Sequence, residues 1–213
     1  MDIYLVRHTE VTVGRSVAYG QTDVELADTY EEQRDRLRRH LPEDTASIFS
    51  SPLLRCRRLA EDLAAGLSGG SRIETAPGQT AVVDAHPPKV QFDDRLKEFY
   101  FGDWEMKPWA EIGRDRLDPW MADFVTVRTP NGENFGDLFE RVGAFWRERI
   151  LPLAGSGTGR PVVIVSHGGV IRALLCLFLD VPLPNAYRIN LDYGAVSKLT
   201  LTESTYTIQY INR

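Results

Sequence analysis

Short apolar runs alternate along the chain with longer segments of helical period. Residues 3–6, Ile-Tyr-Leu-Val, have the pattern of a buried parallel strand, and the run stops at Arg7-His8. Residues 9–28 are polar and contain glycine, and 30–41 carry a charged helical pattern that ends before Pro42. A second strand is predicted at 47–50. Ser51-Pro52 reads as an N-cap and first helical residue, after which Leu53, Leu59, Leu63 and Leu67 recur at helical spacing until the glycines of 66–70. Residues 68–91 mix Gly, Pro, Thr and Ala without periodicity, which predicts an irregular insertion or lid rather than a domain linker. Helices are predicted over 109–124 and 135–151, the second with Leu138, Val142, Phe145 and Ile150 inward and Pro152 after it. Residues 161–165 form a third strand candidate. His167-Gly168-Gly169 opens a helix over 170–179, and alternating strands at 195–202 and 206–212 close the chain.

Strands alternating with helices imply a single α/β domain over 1–213, a three-layer α/β/α sandwich with a mainly parallel sheet and an antiparallel addition from the last hairpin. Sites in such sheets gather at the carboxyl ends of strands. Three predicted strand ends carry Arg7-His8, Ser50-Ser51 with Arg55 one turn on, and Ser166-His167. With 43% hydrophobic and 26% charged residues, the 213-residue composition excludes wholesale disorder, collagen and coiled coil. Thirty acidic against 25 basic residues give a net charge of −5, so no broad nucleic-acid face is expected and an anionic ligand needs a local basic cluster. Cys56 and Cys176 lack disulfide-framework or zinc spacing and read as core thiols. No signal-like start or membrane-length apolar run occurs, which predicts a cytoplasmic protein without a membrane partner. Whether it is a monomer or a homodimer is not encoded in these patterns.

Two arginines and two histidines at one sheet end, next to helix N-termini, suit a phosphate dianion, because guanidinium groups bind phosphate bidentately and free backbone N–H groups add positive potential. Gly168 and Gly169 allow the backbone close to such a ligand. A neutral imidazole can then attack phosphorus in line, and hydrolysis through a phosphoramidate needs no metal or cofactor. Spacing leaves His8 and His167 both open as the nucleophile. Glu98, among Phe99, Phe101 and Trp104, is the candidate general acid, since aromatic neighbours exclude water and favour a protonated carboxyl. Asp103 and Glu105 compete for that role. Tyr19, Gln21, Arg58, Trp104, Arg172 and Tyr187 are candidates for the substrate side, whereas His40 and His86 read as surface or loop residues.

The segments Leu5-Val6-Arg7-His8-Thr9-Glu10, Ser50-Ser51-Pro52-Leu53-Leu54-Arg55, Leu96-Lys97-Glu98-Phe99-Tyr100-Phe101-Gly102-Asp103-Trp104-Glu105 and Val165-Ser166-His167-Gly168-Gly169-Val170-Ile171-Arg172, with Pro130-Asn131-Gly132-Glu133-Asn134 between the last two, occur in this order. Together they resemble the histidine phosphatase superfamily, also called phosphoglycerate mutase-like. The resemblance implies that His8 is the phosphorylated nucleophile, that Arg7, Arg55 and His167 cradle the phosphoryl oxygens, and that Glu98 protonates the leaving group. Two positions depart from the family pattern. Thr9 stands where glycine is usual, and Gly14 where an asparagine often contacts phosphate, so that contact is lost or falls to Gln21 or Thr22. Within the superfamily, Tyr19-Gly20-Gln21-Thr22-Asp23 and Phe101-Gly102-Asp103-Trp104-Glu105 resemble the α-ribazole phosphatases of cobalamin biosynthesis, which implies α-ribazole 5′-phosphate or the corresponding adenosylcobalamin phosphate as substrate. Other readings are a broad-specificity sugar or nucleotide phosphatase, a phosphoglycerate mutase, or a phosphate-binding module without turnover. A metal-dependent hydrolase lacks a carboxylate at ligand spacing such as H-E-x-x-H.

Overall fold

Strand β1 (Asp2–Arg7) lies parallel to β8 (Val162–Ser166), which lies parallel to β3 (Ser47–Ser50), which in turn lies parallel to the edge strand β6 (Lys89–Phe92). On the other side of β1, β9 (Val196–Leu201) and β10 (Tyr206–Tyr210) continue the sheet antiparallel, in the order β10-β9-β1-β8-β3-β6. In this computed structural model residues 1–67, 71–76, 79–83, 86–155, 159–202 and 205–213 are described, those at 71–76 and 79–83 by their backbone alone.

Both faces of the sheet are covered, and period-two alternation sorts the side chains between them. Tyr4, Val6, Ile48, Val163 and Val165 pack against Leu37 of α1 (Tyr30–Arg38) and Leu59 and Leu63 of α2 (Leu54–Gly66). Ile3, Leu5, Phe49, Val162 and Ile164 pack on the opposite face against Leu138, Val142 and Phe145 of α4 (Phe135–Phe145) and Leu174 of α6 (Gly168–Leu179). The result is the three-layer α/β/α sandwich expected. Strand β8 is buried along its whole length between two neighbours and two helical layers, which is why Val-Val-Ile-Val shows no polar alternation. Each fully buried Leu or Ile contributes roughly 1.5–3 kcal/mol over its exposed state. Among the described residues no helix is long and apolar enough to cross a membrane.

The structure corrects several local expectations. The stretch at 68–91 is not irregular in its described part: β4 (Ser71–Ala76) pairs with β5 (Gln79–Val83), and from Lys89 onward the chain is strand β6. Its β-branched residues are diluted by Gly and Pro, which masks the period in sequence. Expected helix 109–124 splits into a 3₁₀ turn at Trp109–Glu111 and α3 (Arg114–Ala122), which begins after Gly113, a residue whose backbone freedom disfavours continuing a helix. Pro152 lies inside a helical turn rather than after it. A π-helical turn at Trp146–Ile150 precedes α5 (Leu151–Ala154), and the widened turn makes room for a proline ring that would meet an α-helical carbonyl. Finally, Ser51 does not cap α2. Leu53 takes the N-cap position, and Asp23 Oδ1 accepts from the Leu54 N–H at 2.7 Å, a cap supplied from 31 residues earlier in the chain.

Candidate active site

The parallel strands end side by side, and the residues that follow them, His8, Ser51 and His167, are buried next to one another. The backbone N–H of His8 donates to the Ser166 carbonyl at 2.9 Å and that of Ser51 to the Val165 carbonyl at 3.1 Å, so the three strand ends are locked in register. The His8 and His167 rings lie 5.1 Å apart between centroids at 62°, and the two residues are only 1% and 0% exposed. Arg55, second residue of α2, is fully buried and donates to the carbonyls of Thr22 (3.1 Å) and Gly20 (2.6 Å). Arg7 donates to the Leu191 carbonyl and stacks on the Tyr193 ring with its Cζ 3.9 Å from the centroid. Buried polar atoms are normally paired. Arg7 Nε, Arg55 Nε and Thr9 Oγ1 are buried here without a hydrogen-bond partner, three donors gathered at His8.

The state of the two imidazoles follows from their surroundings. Burial first, then the Arg55 and Arg7 charges, hold His8 well below the ordinary histidine range, against the opposing pull of its bond to Thr9. That bond also chooses the tautomer. His8 Nδ1 lies 2.7 Å from the Thr9 carbonyl, which only accepts, so Nδ1 carries the proton and Nε2 carries the free electron pair. Burial and then Arg55 likewise depress His167, whose Nε2 lies 2.8 Å from Ser51 Oγ and 3.4 Å from Cys56 Sγ. Ser51 Oγ is thus a partner of the histidine, and although it also accepts from the Leu53 N–H at 3.3 Å, the N-cap position of α2 belongs to Leu53.

Glu98 sits at the start of α6. Its Oε1 accepts from the Phe99 N–H at 2.9 Å and its Oε2 from the Gly169 N–H at 3.1 Å, which fixes the carboxyl against the first turn of α6. A Cβ on Gly169 would lie 2.4 Å from Oε1, so only glycine admits the carboxyl in this position. The turn bearing Glu98 is clasped by Arg141 of α4, which donates to the carbonyls of Arg95, Lys97 and Glu98 and pairs with Glu133 at 2.6 Å. The two competing carboxylates are committed elsewhere. Glu105 accepts from the N–H groups of Gln21, Thr22 and Phe101 and from the Thr22 hydroxyl, and exposed Asp103 accepts from Asn131.

Above these groups opens a cavity of ≈ 630 Å³, to which Tyr19, Glu98, Gly168, Arg172 and Tyr187 contribute as expected. Other expected residues do not line it, among them the buried His8, Arg55 and His167. Arg58 lies on the outer face of α2, paired with Asp62 at 3.1 Å, and Trp104 is buried in the core against Trp120. Thr22 is spent on Glu105, and the Gln21 amide donates to the Glu98 carbonyl at 3.0 Å. Sequence reasoning missed Arg15, Trp109, Trp120, Phe124 and Tyr193, all of which line the cavity. Tyr193 was within reach of such reasoning, because an antiparallel strand beside β1 starts where β1 ends. Its hydroxyl lies 2.7 Å from that of Tyr19, which joins two loops across the pocket. Among the described residues no group of three or more His, Cys, Asp or Glu is arranged to hold a metal ion.

The sequence model of the histidine phosphatase superfamily (branch 1) matches residues 3–213. A putative phosphoserine phosphatase 2 from Hydrogenobacter thermophilus is 26% identical over 216 residues, covering 99% of this chain and 95% of the relative. An adenosylcobalamin/alpha-ribazole phosphatase from Salmonella typhimurium is 25% identical over 219 residues, covering 100% and 96%. Among solved structures, a putative alpha-ribazole-5′-P phosphatase from Escherichia coli has a TM-score of 0.78 at 21% identity, covering 100% of this chain and 96% of that one, a likeness of fold alone. Bacillus stearothermophilus YhfR has a TM-score of 0.76 at 25% identity, covering 98% and 95%. With a family model spanning nearly every residue and the matching fold beneath it, the chain belongs to the histidine phosphatase superfamily and is a phosphatase of that family.

Proposed function

We propose that the chain hydrolyses phosphomonoesters in two steps through a phosphohistidine on His8. In the first, His8 Nε2 bonds to phosphorus, the ester P–O bond breaks, and the protonated Glu98 carboxyl gives its proton to the leaving alcohol. In the second, a water oxygen bonds to phosphorus, the P–N bond breaks, and the Glu98 carboxylate takes the proton from water, which regenerates the imidazole and releases phosphate. Arg7, Arg55 and His167 hold the phosphoryl oxygens throughout, with the charge they neutralise greatest in the transition state. The observation that carries this reading is the trio of unpartnered buried donors on Arg7, Thr9 and Arg55 around a neutral imidazole, an arrangement suited to a multidentate oxyanion. The unpartnered Thr9 hydroxyl supports assigning to Thr9 the contact that Gly14 cannot make.

The finer reading is a large, partly aromatic leaving alcohol, with α-ribazole 5′-phosphate or the corresponding adenosylcobalamin phosphate as substrate. It is supported by the activity for which the Salmonella relative is named and by the aromatic lining of the cavity. Rapid quenching with labelled p-nitrophenyl phosphate is expected to trap an acid-labile, alkali-stable label on wild-type protein and none on His8→Ala, whose turnover should be abolished with its fold intact. Label or near-normal turnover in His8→Ala would overturn the assignment. Comparing kcat/KM for α-ribazole 5′-phosphate with a panel of sugar and nucleotide monophosphates tests the substrate, and equal values across the panel would reject it.

A further inference from the structure

Arg7 and Arg55 suffice to neutralise one phosphate dianion, yet the same region holds two more guanidinium groups. Arg15 and Arg172 line the cavity together with Arg7. Arg172 donates Nε–H to the Ile189 carbonyl at 3.0 Å and lies over the Tyr187 ring, with its Cζ 5.1 Å from the centroid. Arg15 lies over the Tyr193 ring at 5.3 Å, on the ring that also stacks with Arg7. A Cβ built on Gly168 would meet Arg172 Nη1 at 3.0 Å and Arg7 Cζ at 3.4 Å, so two cations crowd one glycine. Such crowding is unfavourable unless negative charge is near. Other arginines of the molecule satisfy this with a carboxylate, as Arg95 does with Asp93 and Arg128 with Asp137.

Among the described residues neither Arg15 nor Arg172 has a carboxylate within ion-pair distance. Glu98 is the acidic residue of the cavity lining, and Asp192, exposed and bonded to Asn190 and Asn212, attracts Arg15 only at longer range. Arg7, Arg15 and Arg172 in the lining, with Arg55 buried beside His8, set four guanidinium charges against one lining carboxylate and leave an excess that a phosphate dianion does not use up. The lining also has an apolar part, with Trp109, Trp120 and Phe124.

We infer that the preferred substrate carries a second anionic group on its leaving alcohol, held by Arg15 and Arg172, beside an apolar or aromatic portion against the tryptophan wall. This rests on the phosphatase reading and narrows it.

The test compares 4-(carboxymethyl)phenyl phosphate with 4-ethylphenyl phosphate, two aryl esters of similar shape and leaving-group acidity that differ by one negative charge. For the wild-type protein kcat/KM is expected to favour the carboxylated ester by about tenfold, the value of one charge-assisted hydrogen bond. In Arg172→Gln and in Arg15→Gln that ratio should fall, and in the double variant it should approach unity. Arg15 is exposed, so its variant keeps the test valid if substitution of half-buried Arg172 costs folding. Hydrolysis of both esters at equal rates by the wild-type protein, or a preference undiminished in Arg15→Gln, would overturn the anion subsite while leaving the phosphatase reading standing. Hydrolysis of neither would remove that reading, and this inference with it.

Discussion

The imidazole of His8 has its proton position set by one carbonyl and its charge state by burial and two arginines, so the ring is neutral with a free electron pair on Nε2, the state that the proposed nucleophile requires. The same preparation makes the fold sensitive to acid. Folded His8 and His167 titrate well below 6.5, the value of an unhindered histidine, so below pH 6.5 the unfolded chain binds protons that the folded chain does not. Their contribution to stability is therefore complete above 6.5 and lost on acidification, at up to about 1.4 kcal/mol per pH unit for each ring. Urea unfolding at about pH 7.5 and about pH 5.5 checks this: the midpoint should drop on acidification, and drop less in His8→Asn. Residue chemistry was legible in sequence where the residue type was enough, as for the arginines and histidines at strand ends. Composition and spacing alone left Glu98, Asp103 and Glu105, three carboxylates within eight residues, in competition, and it was the resemblance of the surrounding motif that singled out Glu98.

At the scale of elements, two loops and one helix start are interlocked. Glu105 accepts four hydrogen bonds that fix residues 21–22 and Phe101, and the same loop presents the Gly20 and Thr22 carbonyls that hold Arg55. Glu105→Gln keeps the shape but loses the charge and half the acceptor capacity. It is expected to cost about 1–3 kcal/mol of stability and to lower kcat/KM for every substrate as Arg55 loosens, which thermal unfolding and steady-state kinetics would reveal together. Gly169→Ala acts at the start of α6, where the added methyl would collide with Glu98 Oε1. Alkyl phosphates, whose leaving groups require a proton, should slow far more than p-nitrophenyl phosphate, whose leaving group departs without one. Equal losses on both would argue against Glu98 as the acid. The capping of α2 shows why element boundaries escape sequence reasoning: Ser51 has a good capping side chain, but the structure uses it for His167 and borrows Asp23 instead.

Across the whole molecule, a net charge of −5 surrounds a cavity lined by arginines, so the field is concentrated where an anionic ester enters. Raising ionic strength from about 0.01 M to about 0.15 M shortens the Debye length from roughly 30 Å to roughly 8 Å, and kcat/KM for a dianionic ester should fall accordingly. A neutral inhibitor held by the tryptophan wall should bind with little change over the same range. The alternation of apolar runs, the covered sheet with its uninterrupted Val162–Val165 core and the basic groups at strand ends were all present in the linear sequence, because burial period and chain direction are local properties. Which carboxylate meets Gly169, which arginines lack a partner and which tryptophans line the cavity depended on the tertiary structure. These contacts join residues far apart along the chain, and sheet order with helix packing sets their distances in space; no periodicity records them.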